Sequence, residues 1–521
     1  MKKKIFATAF TDNMVLQRNK PIKFFGTVSV CANVSIDFNG MSRTVCADSN
    51  GKWEIEFPPM KEDTHLTVTA VSGPDTVILT NVAIGEVWLA GGQSNMEFDL
   101  ARCTDWERIK DNRNHNIRFF YTPKYNYRCD EYYEAFDNAT WELTTSNTFD
   151  AWSAVAYIFA EHLQAELGVT IGIIGCNWGG TSASAWMSRK AILADPSTRI
   201  YIDEFDERNA GIPLAEQKKQ FDEYNVFHKE WEKKCGELYA ANPSISWDEV
   251  QEIIGPCRWP GPINSFNCFR PCGQYDQMLM EICPYTLKGF IYYQGESDDH
   301  RPRTYYKLCS NLIRNWRECW GDDSIPFILT QLPMHSYSLE EDFKNWPIIR
   351  EAQLRIAQDM NNVSIAVIPD CGVLGDIHPT DKSNVGKRLA LQALCNVYKT
   401  IDSSKAYGPI YREHKVNGSS MEIYFDYAEE GLKLVGEPAC YELAGSDKVF
   451  HPAKVTISGS SIILYSEEVY APMYARYCWV NYGVPSLYGT NDLPASPFRT
   501  SMDDETVSEL GSASIQQIME I

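Results

Sequence analysis

The 521-residue sequence has no run of eighteen or more apolar residues, so it contains no candidate transmembrane helix. It is also poor in positive charge, because 48 basic residues stand against 69 acidic ones and the formal net charge is -21. The electrostatic field of such an acidic protein repels nucleic acid and anionic membranes and favours a neutral or small-molecule partner. The sixteen cysteines include no Cys-x-x-Cys pair, so we predict no structural metal. We also predict no cofactor.

A complete export signal is missing as well. The basic residues 2–4 are followed by an apolar stretch at 5–10, but Thr11, Asp12 and Asn13 interrupt it too early for a signal peptide. We therefore expect a cytoplasmic protein. The cysteines are dispersed along a long chain that does not need small-domain staples, so we expect most thiols to be reduced.

The length exceeds what one hydrophobic core usually organises, at roughly 150 residues per domain. Residues 1–84 contain short alternating runs separated by turn pairs such as Asn39-Gly40, which indicates an all-β module. Short strands and Gly/Ser/Asn/Pro turns return over 401–521 and predict a second β module. Between them, residues 85–400 alternate apolar strands with helical periodicity, which predicts an α/β domain with a parallel sheet.

The central domain has recognisable elements. Its predicted strands are 86–90, 169–175, 289–293, 326–332 and 363–369, and its predicted helices are 151–167, 305–320, 347–360 and 381–398. Gly168 stands where a helix C-terminal glycine is expected. Two stretches, about 100–148 and 195–285, do not follow the repeat and are predicted to be insertions bordering the site.

Ligands of open parallel sheets bind beyond the carboxyl ends of the strands, so the residues that follow each strand are the candidates for a site. Ser94 follows the first strand, and Asp376 and His378 follow the last. A serine hydroxyl needs a base to take its proton, and the base needs an acceptor that fixes its tautomer. These three residues supply those types, although a helix-capping serine, a turn aspartate and a loop histidine would explain each one alone.

Cleavage of an ester also requires donors for the oxyanion of the tetrahedral intermediate. The amide of Ser94, the amide of Gly180 and the side-chain amide of Gln294 lie at the predicted site edge and are candidates. Each glycine or strand-end polar residue also has an ordinary role in a tight turn. The set as a whole predicts a serine esterase.

These motifs together resemble the sialate O-acetylesterase branch of the SGNH (GDSL-like) hydrolases. The similarity is carried by four blocks that stand in the family's order: residues 92–97 (GQSNME), 178–181 (WGGT), 293–297 (YQGES) and 376–379 (DIHP). Residues 12–18 (DNMVLQR) and 493–499 (LPASPFR) resemble the family's opening and closing motifs. The resemblance therefore covers essentially the full chain.

The resemblance implies a flavodoxin-like SGNH hydrolase domain flanked by N- and C-terminal β-sandwich-like domains. It implies Ser94 as nucleophile and oxyanion donor, Gly180 as the second donor, Gln294 in the place where the superfamily uses asparagine, and His378 as base. Glu296 competes with Asp376 as the acid partner, and we favour Asp376.

The remaining predictions concern substrate binding. Gln93 and Asn95, which flank Ser94, and Glu296 are predicted to take part in it. The implied substrate is a small O-acetylated sugar, preferably sialic acid. Because that sugar carries a carboxylate and the protein is acidic, a local Arg or Lys must offset the field, and Arg189 is one candidate. Deacetylation of xylo-oligosaccharides and a noncatalytic carbohydrate-binding role are the alternatives. The oligomeric state is not predicted.

Overall fold

The structure, a computed structural model, describes residues 5–242, 245–337 and 342–505. Within these ranges no helix combines the length and hydrophobicity that a membrane span requires. The described chain forms a central α/β sheet with β-rich regions before and after it. The α/β fold class predicted from the sequence is confirmed.

The N-terminal region consists of short strands whose alternate residues face a common core. In β3, for example, Val34, Ile36 and Phe38 are buried and the residues between them are not. Asn39 and Gly40 adopt positive φ in the turn that joins β3 to β4, as the Asn-Gly pair predicts. The strands are β1 (Val15–Gln17), β2 (Ile22–Thr27), β3 (Asn33–Phe38), β4 (Met41–Cys46), β5 (Lys52–Phe57), β6 (Asp63–Ser72) and β7 (Asp75–Gly92).

Strand β7 joins this region to the central sheet without interruption. Its first part pairs antiparallel with β6, and residues 86–92 pair parallel with the two neighbouring strands of the central sheet. The division that we placed at residue 84 therefore lies inside a strand. The end of β7, which leads into the nucleophile candidate Ser94, lies between β10 and β11 in the middle of the central sheet.

The central sheet continues with β8 (Ile117–Tyr121), β9 (Trp141–Leu143), β10 (Ile171–Asn177), β11 (Gly289–Tyr293), β12 (Phe327–Thr330) and β13 (Val363–Ala366). The order is β13-β12-β11-β7-β10-β8-β9, and every pairing but that of β8 with β9 is parallel. The five strands predicted from the sequence are β7, β10, β11, β12 and β13. Numbered along the chain, they have the order 2-1-3-4-5 of flavodoxin-like sheets.

Helices cover both faces of this sheet, which is why its strands are apolar throughout. Trp88 on one face contacts Phe159, and Phe290 on the other face contacts Trp316. The helices are α1 (Ser94–Glu97), α2 (Trp106–Asp111), α3 (Asp130–Asn138), α4 (Ala154–Leu167), α5 (Arg189–Leu193), α6 (Ile200–Asn209), α7 (Leu214–Ala241), α8 (Trp247–Ile254), α9 (Met280–Ile282), α10 (Tyr305–Trp320), α11 (Asn345–Asp359), α12 (Ser383–Ala393) and α13 (Ser403–Ala406).

Short 3-10 and π segments complete the helical part. The 3-10 segments are Leu100–Arg102, Phe149–Ala151, Ala183–Trp186, Glu296–Asp298, Pro302–Thr304 and Pro369–Cys371, and the π segments are Tyr275–Leu279 and Leu394–Tyr398. The four long helices predicted from periodicity correspond to α4, α10, α11 and α12 with its π extension. Gly168 ends α4 with φ 67°, as its C-terminal position predicts.

The two stretches predicted to be insertions differ in how they join the core. Residues 100–148 contribute β8 and β9 to the edge of the sheet, so part of this stretch belongs to the sheet itself. Residues 195–285 form α6 to α9 and the connecting loops, and the charged pattern at 216–238 lies in the long helix α7.

The C-terminal region is again made of strands. It has a hydrophobic cluster of its own around Met421, Ile423 and Leu464, most of whose members come from this region. Its strands are β14 (Ile410–Asn417), β15 (Ser420–Asp426), β16 (Leu432–Leu434), β17 (Tyr441–Ala444), β18 (His451–Pro452), β19 (Lys454–Ser458), β20 (Ser461–Tyr465), β21 (Tyr474–Tyr477), β22 (Leu487–Gly489) and β23 (Phe498–Arg499).

Candidate active site

The loops that follow β7, β10, β11 and β13 meet at the carboxyl edge of the central sheet. The Trp178 amide donates to the carbonyl of Gly92 at 3.1 Å, which joins the first two loops. The Gln93 amide donates to the Tyr293 carbonyl at 3.0 Å and joins the first to the third. The sheet topology therefore brings together segments that are almost 300 residues apart in sequence.

A tight turn presents Ser94 at this edge. Gly92 has φ 133°, and a Cβ at this position would lie 2.1 Å from the Tyr293 carbonyl oxygen, so the turn requires glycine. Ser94 is then the first residue of α1, and its amide has no acceptor within the helix. The side chain is only partly buried and can meet a substrate from the open side.

His378 meets this serine. Its Nε2 lies 2.8 Å from Ser94 Oγ, within the hydrogen-bond distance that proton transfer requires. Burial lowers the pKa of His378 from 6.5, and the positive charge of Lys382 acts in the same direction. The imidazole is therefore neutral at neutral pH, with Nε2 able to accept the serine proton.

Asp376 lies beside this histidine. Its Oδ1 accepts a hydrogen bond of 2.8 Å from the backbone amide of His378, and its negative charge acts to raise the pKa of the imidazole. The contact through the backbone amide fixes the turn that carries His378. The further role that we predict for Asp376, orienting the imidazole ring itself, stays a prediction.

Asn95, next to the nucleophile, is buried and turned into the protein. Its Nδ2 donates to Glu296 Oε1 at 2.7 Å and to the Ile377 carbonyl at 3.0 Å, while its Oδ1 accepts from Lys382 Nζ at 2.6 Å. Asn95 therefore connects helix α1 to the residue that precedes His378. We call Asn95, Glu296 and Lys382 the buried network.

The charges of the buried network are strongly affected by their surroundings. Burial raises the pKa of Glu296, whose Oε2 has no partner among the described residues, and burial lowers the pKa of Lys382 to about 8. Glu296 acts on the histidine segment through Asn95. Sequence reasoning missed Lys382, although its place four residues after His378 puts a charge at the start of α12.

Gln93 also faces the interior. Its Oε1 accepts from the amide of Ser297 at 3.1 Å and from the amide of Gly295 at 3.5 Å. The structure thus places Gln93, Asn95 and Glu296 behind the nucleophile, where they connect the loops. Their predicted part in substrate binding stays a prediction.

The Gly180 loop lies close to Ser94. A Cβ added to Gly179 would come 3.2 Å from the Ser94 Cβ, and the Gly179 amide donates to Glu97 Oε2 at 2.5 Å. Gly180 has φ 74°, and a Cβ there would lie 2.6 Å from the ring of Phe269. Both constraints explain why this loop has two glycines, and the contact at Gly179 places the loop beside the serine. Donation by the Gly180 amide to an oxyanion stays a prediction.

Gln294 has a different environment from the one its predicted oxyanion role requires. Its Nε2 donates to Asp298 Oδ2 at 2.6 Å and to the Thr181 carbonyl at 3.3 Å, and its Oε1 accepts from Tyr305 at 3.0 Å. Both N–H groups are therefore engaged in this structure. Gln294 joins the loop after β11 to the Gly180 loop, and its donation to an oxyanion stays a prediction.

Asp298 is a second residue that sequence reasoning missed. The carboxylate is fully buried and accepts from Ser182 Oγ at 2.6 Å, the Ala183 amide at 2.8 Å and Tyr201 at 2.9 Å. Together with Gln294 it fixes the segment that follows Gly180. The signal was present, since a carboxylate stands four residues after Gln294, but a sequence gives no sign that it is buried.

Arg189, the candidate for binding a substrate carboxylate, already has a partner in this structure. It forms an ion pair with Asp206, and both side chains are about half exposed. Trp186, which follows the Gly180 loop, is fully buried, and its Nε1 donates to Thr181 Oγ1 at 2.9 Å, so this tryptophan anchors the loop in the core.

Comparison with known proteins confirms the resemblance that the sequence motifs indicate. A family model described as "carbohydrate esterase, sialic acid-specific acetylesterase" matches residues 266–395, which include Gln294, Glu296, Asp376 and His378. Sialate O-acetylesterase from Mus musculus is 27% identical, with 95% of this chain and 93% of that protein covered. The Homo sapiens protein of the same name is 24% identical, with 96% and 93% covered.

A solved structure gives the same result in three dimensions. The crystal structure of a carbohydrate acetylesterase from Xanthomonas citri matches with a TM-score of 0.75 and 27% sequence identity, and the alignment covers 95% of this chain and 99% of that one. The similarity therefore extends over all three regions of the fold, and at the level of the family it supports a carbohydrate esterase.

Proposed function

We propose that this protein is a serine esterase that hydrolyses O-acetyl esters of sialic acid. One observation carries the proposal: Ser94 Oγ and His378 Nε2 lie 2.8 Å apart at the carboxyl edge of the central sheet. A neutral imidazole at this distance can remove the serine proton and so make the hydroxyl oxygen a nucleophile.

In the first half of the reaction, Ser94 Oγ attacks the acetyl carbonyl carbon while His378 Nε2 takes the hydroxyl proton. The lowered pKa of His378 keeps the base form available at neutral pH. Collapse of the tetrahedral intermediate breaks the ester bond, and His378 returns the proton to the departing sugar oxygen. The acetyl group remains on Ser94.

The developing oxyanion is stabilised by backbone amides. Ser94 at the start of α1 supplies one, and Gly180 supplies the second, because its loop lies against Ser94. Gln294 and Asp298 hold that loop in place from behind. Asp376 stabilises the imidazolium that forms during each proton transfer.

In the second half, a water molecule attacks the acetyl-serine. His378 accepts its proton and returns it to Ser94 Oγ, which releases acetate and restores the enzyme. Each step uses the same donor and base groups as the first half, so one constellation serves both.

Two lines of similarity support sialic acid as the sugar of the substrate. The matching family model is described as sialic acid-specific, and the mouse and human relatives are sialate O-acetylesterases. The Xanthomonas citri structure is that of a carbohydrate acetylesterase, a description that names no particular sugar. Acetylated neutral sugars such as xylo-oligosaccharides are therefore the second candidate substrate.

The test compares kcat/KM for 9-O-acetylated sialic acid with kcat/KM for an acetylated xylo-oligosaccharide, using wild type and the Ser94→Ala variant. We expect the higher value on the sialate and no activity of the variant on either. Equal or higher values on the neutral sugar would remove the sialate assignment. Normal turnover by Ser94→Ala would remove the esterase assignment.

A further inference from the structure

We propose that Arg102 binds the carboxylate of an O-acetylated sugar acid while Ser94 attacks its acetyl ester. This inference rests on the proposed function and adds the residue that would distinguish an acidic sugar from a neutral one. The protein carries a net charge of -21, so an anionic substrate needs a local cation to overcome the overall field.

The segment that carries Arg102 contacts the loop that carries His378. The Thr104 amide donates to the Thr380 carbonyl at 3.1 Å, two residues beyond His378. One residue further along, Asp105 Oδ2 accepts from Ser383 Oγ at 2.6 Å. The 3-10 segment that ends at Arg102 is thus held alongside the loop that carries the base.

The guanidinium itself lies over an aromatic ring near the nucleophile. Its carbon is 4.7 Å from the ring centroid of Phe98, which follows directly after α1. Lys382 Nζ is also 4.7 Å from that centroid. The attraction between the guanidinium and the face of Phe98 therefore holds the Arg102 side chain near the end of α1.

Arg102 remains available to a ligand. The residue is exposed, and within residues 5–242, 245–337 and 342–505 no carboxylate lies within ion-pair distance of it. Asp99, three residues earlier, interacts with the charge of Arg102 but does not form an ion pair with it. Burial raises the pKa of Asp99, and the positive charge of Arg102 opposes that shift.

Other cations near the site are already engaged. Lys124 pairs with Glu97, and Arg189 pairs with Asp206. Arg270 donates to the carbonyls of Asn126 and Pro271. Lys382 is buried in the network behind the serine. A planar guanidinium is also the group best suited to a carboxylate, because it can donate two parallel hydrogen bonds.

The electrostatic influence of Arg102 on the base supports the same placement. Burial is the main reason for the lowered pKa of His378, and the charges of Lys382 and Arg102 act in the same direction. Arg102 is therefore close enough to affect the imidazole. A carboxylate bound there would offset part of this charge next to the base.

The experiment measures the ratio of kcat/KM for 9-O-acetylated sialic acid to kcat/KM for 4-nitrophenyl acetate in wild type, Arg102→Gln and Arg102→Lys. We expect Arg102→Gln to lower this ratio by about 10- to 100-fold, the usual loss of a charged hydrogen bond, and Arg102→Lys to lower it less. Free sialic acid, added as an inhibitor of 4-nitrophenyl acetate hydrolysis, should bind Arg102→Gln more weakly by a similar factor.

Arg108→Gln is the matched control, because Arg108 lies on the next helix and is paired with Asp105 and Glu161. It should leave the ratio unchanged. An unchanged ratio and an unchanged inhibition constant in Arg102→Gln would overturn the assignment of Arg102 while leaving the esterase intact. Failure of the wild type to hydrolyse the sialate while it hydrolyses 4-nitrophenyl acetate would overturn both the substrate and this inference.

Discussion

The two faces of helix α1 differ in how exposed they are and in how many hydrogen bonds their side chains make. Ser94 faces the open side, is partly exposed, and has His378 as its side-chain partner. Asn95, the next residue, is buried and makes three hydrogen bonds, to Glu296, Ile377 and Lys382. The reacting group has few contacts because its hydroxyl must remain free to attack. The supporting group has many, because it must hold the two loops at a fixed separation.

The largest expected effect is a loss of activity on the Ser94 face that has no counterpart in stability, whereas the Asn95 face should show a loss of stability. We expect Ser94→Ala and His378→Ala each to lower kcat by on the order of a million-fold, since such groups act as a unit, and to change the free energy of unfolding by less than about 1 kcal/mol. Asn95→Leu should instead destabilise the fold by roughly 3–5 kcal/mol, because it leaves a buried ammonium and carboxylate without their bridge.

Esterase assays on 4-nitrophenyl acetate and urea unfolding of the same variants measure the two quantities. A Ser94→Ala variant that unfolds as easily as Asn95→Leu would show that the two faces are not distinct. Asn95→Leu with wild-type stability would mean that the buried network does not hold the loops.

The second prediction decides between the two carboxylates near the base. We expect Asp376→Asn to lower kcat by about ten-thousand-fold, the loss seen when the partner of a catalytic histidine no longer favours the correct tautomer. Glu296→Gln, which keeps an oxygen acceptor for Asn95, should lose far less. A larger loss for Glu296→Gln than for Asp376→Asn, with both variants folded by circular dichroism, would exchange the roles.

The third prediction concerns Gln294 and Asp298, which join two loops behind the oxyanion donors. Gln294→Ala should lower kcat by roughly a hundred-fold. Asp298→Ala should lower kcat at least as much, because it also removes the acceptor of Ser182, the Ala183 amide and Tyr201. The double variant should be little worse than Asp298→Ala alone, because the contact between the two residues is already broken there. Multiplication of the two losses in the double variant would instead assign Gln294 a separate role at the oxyanion.

The smallest expected effect is a shift in pH dependence. Because the pKa of His378 is lowered, its base form persists below pH 6.5, so the midpoint of the acid limb of kcat/KM should lie below 6.5. Lys382→Met removes a charge that disfavours the imidazolium and should move this midpoint upward. Lys387→Met, on the exposed side of α12, is the control and should not move it. A midpoint at or above 6.5 in wild type would contradict the prediction.

Much of the fold could be predicted because its signals are local. Apolar strands between helical segments predicted the five core strands, and Gly168 marked the end of α4. The edge strands β8 and β9 were not predicted, because residues 100–148 lack the regular alternation of the core. Pairing with a neighbouring strand stabilises such short segments, and a neighbour in space leaves no mark in the local sequence.

For the site, the sequence by itself determined which chemical types are present and after which strands they stand. It predicted Ser94 as nucleophile and His378 as base, and the structure places these two side chains in contact. Only the tertiary structure decided which polar residues face the substrate and which face the interior. Gln93, Asn95 and Glu296 turn inward, Lys382 and Asp298 join them there, and Arg102 stays exposed. The reason is physical: a polar side chain is stable in the interior only when partners from distant segments satisfy it, and the fold alone brings those partners together.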